Sequence, residues 1–474
     1  MKRNKLGLWL LTALVVGNMV GSGIFMLPRS LSAAASPAGV LLGWGVTGAG
    51  VLMLALVFGN LAIRKPELSG GPQIYAKALF KKSCTLSALA GFMSSWGYWI
   101  GNIAGYVAVI TTFASYLSIF FPVMNSKNVL FTVGAFELKA GNAVTFVICS
   151  VLLWGTHALI LRGIESAGKF NFVATVAKVI GFFLFIVIAL FAFQQSNIGP
   201  FVDTRTSGGE TVGLLGQVNS AAVATLWAFI GIESAVVFAS RAKKEGDVKK
   251  ATILGLVISL IIYVGISILT MGLLTQSELQ RSQNPLVDAI SSILGSTGGN
   301  VLAIVGLISL IGSTVGWVLL SSEVPYQAAK QNVFFTSFTK VNEKGMPTVA
   351  LWISNAIAQV LLLSTVSNSI ANAFDFIIYV ATLAYLVPYL ISSVYQLKLG
   401  LTGETYENGK GRGLDIVVAV LATVYSAWVV VAGTADIKTF LLGVAMIVSG
   451  IIFYPFLLRS LKGKKEEKNI KQSA

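Results

Sequence analysis

Two ionisable side chains sit deep inside apolar runs: Glu233 in LWAFIGIESA (226–235) and Lys178 in FNFVATVAKVIGFF (170–183). A charge near the centre of a bilayer costs at least ~2.5–3.5 kcal/mol and is seldom kept without a use. Glu233 reads as a functional carboxyl, against a structural one that is protonated or hydrogen-bonded. For Lys178, capping the freed carbonyls of a broken helix and taking part in proton coupling stand level. Glycines supply a second kind of chemistry, that of bare peptide groups. Gly17, Gly21, Ser22 and Gly23 crowd VGNMVGSGIF (16–25), and Gly231 stands beside Glu233 and Ser234. Each interior glycine costs a helix ~1 kcal/mol relative to alanine. Breaks in an apolar helix are tolerated only where the freed groups line a protein cavity. An isolated glycine more often serves close helix packing, but two clusters read as interruptions. At an interruption the N–H groups that open a half-helix attract a carboxylate, and freed carbonyls accept from an ammonium. An α-amino acid presents both groups.

Such residues need membrane-spanning helices to carry them, and the chain is built of little else. Of 474 residues, 55% are hydrophobic and 11% charged, with a mean hydropathy of +0.80; an ordinary globular domain carries about 25% charged residues. Apolar stretches of roughly 20 residues, enough to cross a ~30 Å hydrocarbon layer, recur from end to end. Twelve spans are expected, at 6–30, 38–63, 86–117, 143–161, 170–193, 214–240, 251–274, 298–320, 348–366, 370–395, 413–433 and 436–458. The first follows Lys2, Arg3 and Lys5 but is too long for a signal peptide. Spans one and six are five apart, the spacing of two inverted repeats whose discontinuous helices flank a midplane site. The expected fold is an all-α polytopic membrane protein of twelve transmembrane helices. Its parts are a short N-terminal stretch (1–5), a first inverted five-helix repeat (6–193), a second (214–395), two C-terminal helices (413–458) and a basic tail (459–474).

The net charge of +15 follows this topology. An even number of spans puts both termini on one side. That side collects Lys2, Arg3 and Lys5, the basic residues of 64–82, Arg162 and Lys169, those of 241–250, Lys330, Lys340 and Lys344, Lys398, Lys410 and Arg412, and the tail from Arg459 to Lys471. The other side has Arg29, Lys127, Lys139, Arg205, Arg281 and Lys438. This is the positive-inside bias, which makes both termini cytoplasmic in a multi-pass protein of the cell's inner or plasma membrane. Nucleic-acid binding needs a coherent basic face and is not required to explain the charge. Cys84 and Cys149 imply no disulfide or metal framework. His157, the only histidine, reads as a packing or interfacial residue. No metal site and no cofactor is expected, and signatures of a membrane-embedded enzyme, such as H-E-x-x-H or a paired Ser and His, are missing. Asn102 in YWIGNIAGY (98–106) can serve as interhelical glue worth ~0.6 kcal/mol. Trp227 and Trp317 can serve as core packing or an interfacial belt.

Five longer stretches occur in order: VGNMVGSGIFMLP (16–28), RKPELSGGPQIYAKALF (64–80), LILRGIESAGKFN (159–171), LWAFIGIESAVVFASRAKK (226–244) and WVLLSSEVPYQAAKQNVF (317–334). Together they resemble the amino acid–polyamine–organocation superfamily, within it the basic amino acid/polyamine antiporters, and most of all the arginine/ornithine exchangers. The resemblance implies alternating access around a central site. It gives the substrate carboxylate to Ser22 and Gly23, and the α-ammonium to carbonyls around Met19, Trp227 and Ile230. Asn102 would hold the distal end of the substrate side chain, and Trp317 would stack on its cationic group. Trp227 would gate the outer side, while Glu233 and Tyr389 in LVPYL (386–390) would couple occupancy to gating. Departures accompany the likeness. Ser94 and Ala381 stand where related arginine/agmatine exchangers carry a tyrosine and a serine, and Tyr98 is bulkier than the small residue expected. Lys178 resembles a lysine of proton-coupled amino acid transporters that occupies the place of a sodium ion. The implied activity is exchange of arginine for ornithine. Amino acid/amine exchange (histidine/histamine, lysine/cadaverine, agmatine/putrescine), proton-coupled uptake of cationic amino acids, and a sensor or assembly subunit are the alternatives. The implied partners are the small cationic substrate and membrane lipid, with a homodimer left open.

Overall fold

The computed structural model describes residues 5–80, 85–134, 136–207, 210–367, 370–406, 409–433 and 437–461. Cys84, the first basic residues Lys2 and Arg3, Lys81, Lys82 and the tail beyond Leu461 lie outside them.

The first expected span is two helices, α1 (Leu8–Met19) and α2 (Ser22–Ala34), separated at Val20 and Gly21. The chain continues with α3 (Pro37–Arg64), a short α4 (Tyr75–Leu79), α5 (Thr85–Leu117), α6 (Ala140–Leu161), α7 (Ile164–Ala192) and a single turn α8 (Gln195–Ile198). Next come α9 (Leu214–Phe229) and α10 (Ser234–Val237), then α11 (Glu245–Leu273), α12 (Gln276–Arg281) and a 46-residue α13 (Pro285–Lys330). The remaining helices are α14 (Thr348–Leu362), α15 (Ser364–Ser367), α16 (Ile370–Thr402), α17 (Arg412–Gly433) and α18 (Ile437–Val448). Two loops add antiparallel hairpins, β1 (Val129–Val133) with β2 (Phe136–Lys139), and β3 (Arg205–Ser207) with β4 (Glu210–Val212).

Among the described residues, ten helices are long and apolar enough to cross a membrane. The sixth expected span, 214–240, is not one continuous helix: α9 stops at Phe229 because the backbone turns at Ile230–Glu233 before α10 resumes. The eighth, expected at 298–320, extends at both ends as α13, which bends where Gly295 adopts φ +68°. Local signals set several starts. Ser36 accepts a hydrogen bond from the Gly39 N–H with Pro37 in the first turn of α3, and Pro285 opens α13; proline there lacks only an N–H that the helix would leave unpaired.

Burial separates a central set of helices from a peripheral one. The most apolar windows of Leu8–Ala34 and Leu86–Leu117 are 89% buried, whereas that of Gly443–Leu461 is 11% buried. The outward faces are apolar: Phe191 is 90% exposed and Leu215 85%. A rim of that kind suits hydrocarbon, since a protein in water rarely leaves large apolar patches bare.

Polar pairs tie the helix ends. Asp415 on α17 accepts from Arg64 and Asn60 of α3 and from Tyr406. At the far end of the broken α9–α10 segment, Arg241 makes a bidentate pair with Glu323 of α13, at 2.9 and 2.7 Å. The Glu323 side chain is fully buried, so removing one partner would cost ~3–5 kcal/mol. Beside it, Leu6 donates its N–H to the Arg241 carbonyl and accepts from the Lys243 N–H, both at 2.8 Å.

Candidate substrate site at the two helix breaks

The two interruptions meet. Gly231 has φ +106°, and a Cβ placed on it would lie 2.9 Å from Asn18 Cβ and 3.1 Å from the Met19 nitrogen. Asn18 Nδ2 donates to Ser234 Oγ at 2.8 Å, and the same hydroxyl donates to the Gly231 carbonyl at 2.5 Å. Glycine is needed here twice over, for its backbone angle and for the missing side chain.

Most freed carbonyls of the first break have donors. Lys178 of α7 spends its ammonium on the Gly17 carbonyl (3.0 Å), the Val20 carbonyl (2.6 Å) and Ser313 Oγ (2.7 Å). Ser313 in turn donates to the Gly17 carbonyl, and Trp317 Nε1 donates to the Asn18 carbonyl at 2.9 Å. The lysine is 1% exposed, and among the described residues no carboxylate pairs with it. What offsets its desolvation is the negative end of α1, where carbonyls crowd without helical partners. The geometry is that of a cap on a broken helix.

Other groups stay open. No side chain caps the start of α2, leaving the amide N–H groups of its first turn directed at the gap. No described residue donates to the Ile230 carbonyl at the end of α9. Between these ends lies a cavity of about 10 Å³, lined by Asn18, Met19, Gly21 to Gly23, Gly105, Val109, Trp227, Ile230 and Trp317. That is room for about one water, far below the ~300 Å³ at which ligand pockets begin. Trp227 and Trp317 close it: their indoles lie 3.4 and 3.7 Å from where side chains of Gly23 and Gly21 would begin.

Six of the seven residues expected to bind substrate, namely Met19, Ser22, Gly23, Trp227, Ile230 and Trp317, are thus in one place. Asn102 is not on the wall. It is fully buried on α5, with Nδ2 donating to the Tyr98 carbonyl and Oδ1 without a partner among the described residues. Glu233 sits behind the break, accepting from Tyr98 OH at 2.6 Å on one oxygen and from Tyr389 OH at 2.5 Å and the Gly231 N–H at 3.1 Å on the other. The carboxyl therefore joins α5, α16 and the turn between α9 and α10 in one buried network.

Sequence reasoning had no role for three of these side chains. Tyr98, seen as a bulky departure, provides one of the two phenols that hold Glu233. Asn18 and Ser313, which pin the breaks, carried a weak signal: each is a polar residue next to glycine inside an apolar span. His157 is buried, its Nδ1 3.0 Å from Asn355 Nδ2, between α6 and α14 and outside the site. Cys149 is buried and, among the described residues, forms no disulfide. A cavity of about 1110 Å³ lies elsewhere, among Lys5, Arg162, Lys169, Arg241, Lys330 and Lys344.

The chain is similar to known proteins along nearly its whole length. A protein of Bacillus subtilis (strain 168), provisionally named an arginine/ornithine antiporter, is 49% identical over 464 residues, covering 98% of this chain and 99% of its own length. The arginine/ornithine antiporter of Pseudomonas aeruginosa is 39% identical over 457 residues, 95% of this chain and 90% of its own. The arginine/agmatine antiporter of Chlamydia felis is 32% identical over 476 residues, 99% of this chain and 92% of its own. The profile of amino acid permeases matches residues 6–457. With that match running through both breaks and every side chain that surrounds them, this chain belongs to the amino acid permease family.

Proposed function

We propose that the protein exchanges arginine for ornithine across the membrane by alternating access around the two breaks. The observation that carries this reading is the contact of Gly231 with Asn18, which brings an uncapped helix start and an open carbonyl together behind two tryptophans. The α2 amides of Ser22 and Gly23 receive the substrate carboxylate, and the Ile230 carbonyl, with those of Met19 and Trp227, receives the α-ammonium. Trp317 stacks on the side-chain cation, Asn102 holds its distal end, and Trp227 shuts the outer side. Glu233, through Tyr98 and Tyr389, couples occupancy to the movement of the broken segments, and Lys178 keeps the first break in shape. The names of the relatives support arginine and ornithine as the substrates.

The same reading takes the chain as twelve spans, counting α9–α10 and the 33-residue α16 with the ten above, arranged as two inverted repeats of five and two further helices. Both termini then face the cytoplasm, in accord with the distribution of Lys and Arg. Trading one monovalent cation for another moves no net charge. An arginine/agmatine swap, the activity in the name of one relative, must work against ~2.3 kcal/mol per charge per 100 mV. Purified protein in liposomes loaded with ornithine should take up arginine at a rate insensitive to membrane potential, and empty liposomes should not. Uptake that ignores internal ornithine, or that responds steeply to potential, would remove this reading.

A further inference from the structure

Tyr385 of α16 is fully buried, and among the described residues its hydroxyl has no hydrogen-bond partner. Leaving such a group unpaired is costly, and a native protein seldom does so without a reason. The hydroxyl is also aimed. It lies 3.2 Å from where a Cβ on Gly105 would stand, and Gly105 lines the cavity between the breaks. The Tyr385 ring meets Trp317 edge to face at 6.2 Å and Tyr98 at 5.4 Å. Asn102, three residues before Gly105 and so on the same face of α5, has an equally unpartnered buried acceptor, Oδ1. Its amide nitrogen is already committed to the Tyr98 carbonyl.

We propose that Tyr385 OH is a side-chain recognition group, forming with Asn102 Oδ1 a two-acceptor end wall for the cationic head of the substrate. The inference rests on the amino acid exchange reading and adds to it a residue that decides specificity. A guanidinium has five N–H donors and a primary ammonium three, so either satisfies both oxygens at once. An aliphatic side chain satisfies neither and strands two buried acceptors. The absence of a side chain at Gly105 gives the cation its path between the Trp317 ring and the Tyr385 hydroxyl.

The test uses the full-length protein in nanodiscs, measuring affinity for L-arginine, L-ornithine and L-norleucine together with the melting temperature without substrate. Wild type that binds neither cation would remove the exchange reading itself, before Tyr385 is reached. If wild type binds them, Tyr385→Phe should weaken arginine and ornithine about tenfold or more, as expected for losing a hydrogen bond to a charged group. Norleucine affinity should stay or improve, and the substrate-free melting temperature should stay or rise, because an unpaired hydroxyl has left the core. Unchanged affinity for the cations overturns the proposal, and so does a lowered melting temperature, which would mean that the hydroxyl has a structural partner. Should Tyr385→Phe fail to fold, Gly105→Ala decides. Its methyl crowds the same hydroxyl, so cation affinity should fall, and arginine binding at the wild-type level overturns the assignment.

Discussion

Replacing Gly231 by alanine tests the meeting of the two breaks directly. The residue holds φ +106°, and a left-handed or otherwise sparse conformation costs a residue with a side chain ~1–3 kcal/mol. The new methyl would stand 2.9 Å from Asn18 Cβ and 3.1 Å from both the Asn18 carbonyl carbon and the Met19 nitrogen. Two of those three atoms are backbone, so the clash is relieved only by moving α1 away from the turn between α9 and α10. Overpacking of this kind costs ~1–3 kcal/mol more, and the shift strains the Asn18–Ser234 bond at 2.8 Å. The total, ~2–6 kcal/mol, is a large share of the 5–15 kcal/mol by which folded proteins are commonly stable. Gly134 is the internal control: it has φ +61° and nothing within 4 Å of its would-be Cβ. Alanine there meets only the backbone term, ~1–2 kcal/mol. Melting of the two variants in nanodiscs and ornithine-driven arginine uptake in liposomes give the readouts. Gly231→Ala should melt well below Gly134→Ala and lose most of its exchange. If both variants melt alike and exchange like wild type, the two breaks do not need to touch, and the proposed site is wrong.

Glu233→Gln keeps the shape but replaces one acceptor oxygen by an NH₂ group, so the three donors from Tyr98, Tyr389 and Gly231 can no longer all be satisfied; turnover should fall more than affinity, and an equal loss in both would place this carboxyl on the substrate instead. Trp317→Leu should weaken cationic substrates by up to ~2 kcal/mol, the scale of a desolvated cation–π contact, while sparing a neutral amino acid; equal weakening of both in binding assays would reduce the indole to packing. Lys178→Met leaves the Val20 carbonyl without its donor, while Gly17 keeps that of Ser313. The cost is ~1–3 kcal/mol of stability, seen as a lower melting temperature. A variant that melts like wild type but exchanges with an altered pH profile would assign this lysine to proton coupling.

The helical membrane fold was legible because spanning a bilayer imposes long apolar runs, and these survive any detail of packing. The breaks were legible for a related reason: helix-breaking glycines in hydrocarbon need a purpose, and both clusters, around Gly21 and Gly231, do mark the points where helix stops. Contact between elements distant in sequence was not legible. Nothing near Tyr98 announces that its hydroxyl meets Glu233, 135 residues away. Nor does the sequence near Ser313 reveal a bond to Gly17, 296 residues earlier. The extent of α13 beyond 298–320 was missed because its ends are packed against protein, where length is not limited by hydrocarbon thickness. The hairpins β1–β2 and β3–β4 were missed because short strands with one neighbour each have little apolar alternation to betray them.

The stitch between Leu6 and residues 241–243 makes the chain's beginning a handle on its middle. A tug on the residues ahead of Leu6 is felt, through two peptide hydrogen bonds, by the segment that leads back to Glu233, so a bulky fusion partner there would load that segment like a weight on a door latch. Cargo joined after Leu461 hangs instead from a helix with little protein around it, and is the safer place for a reporter.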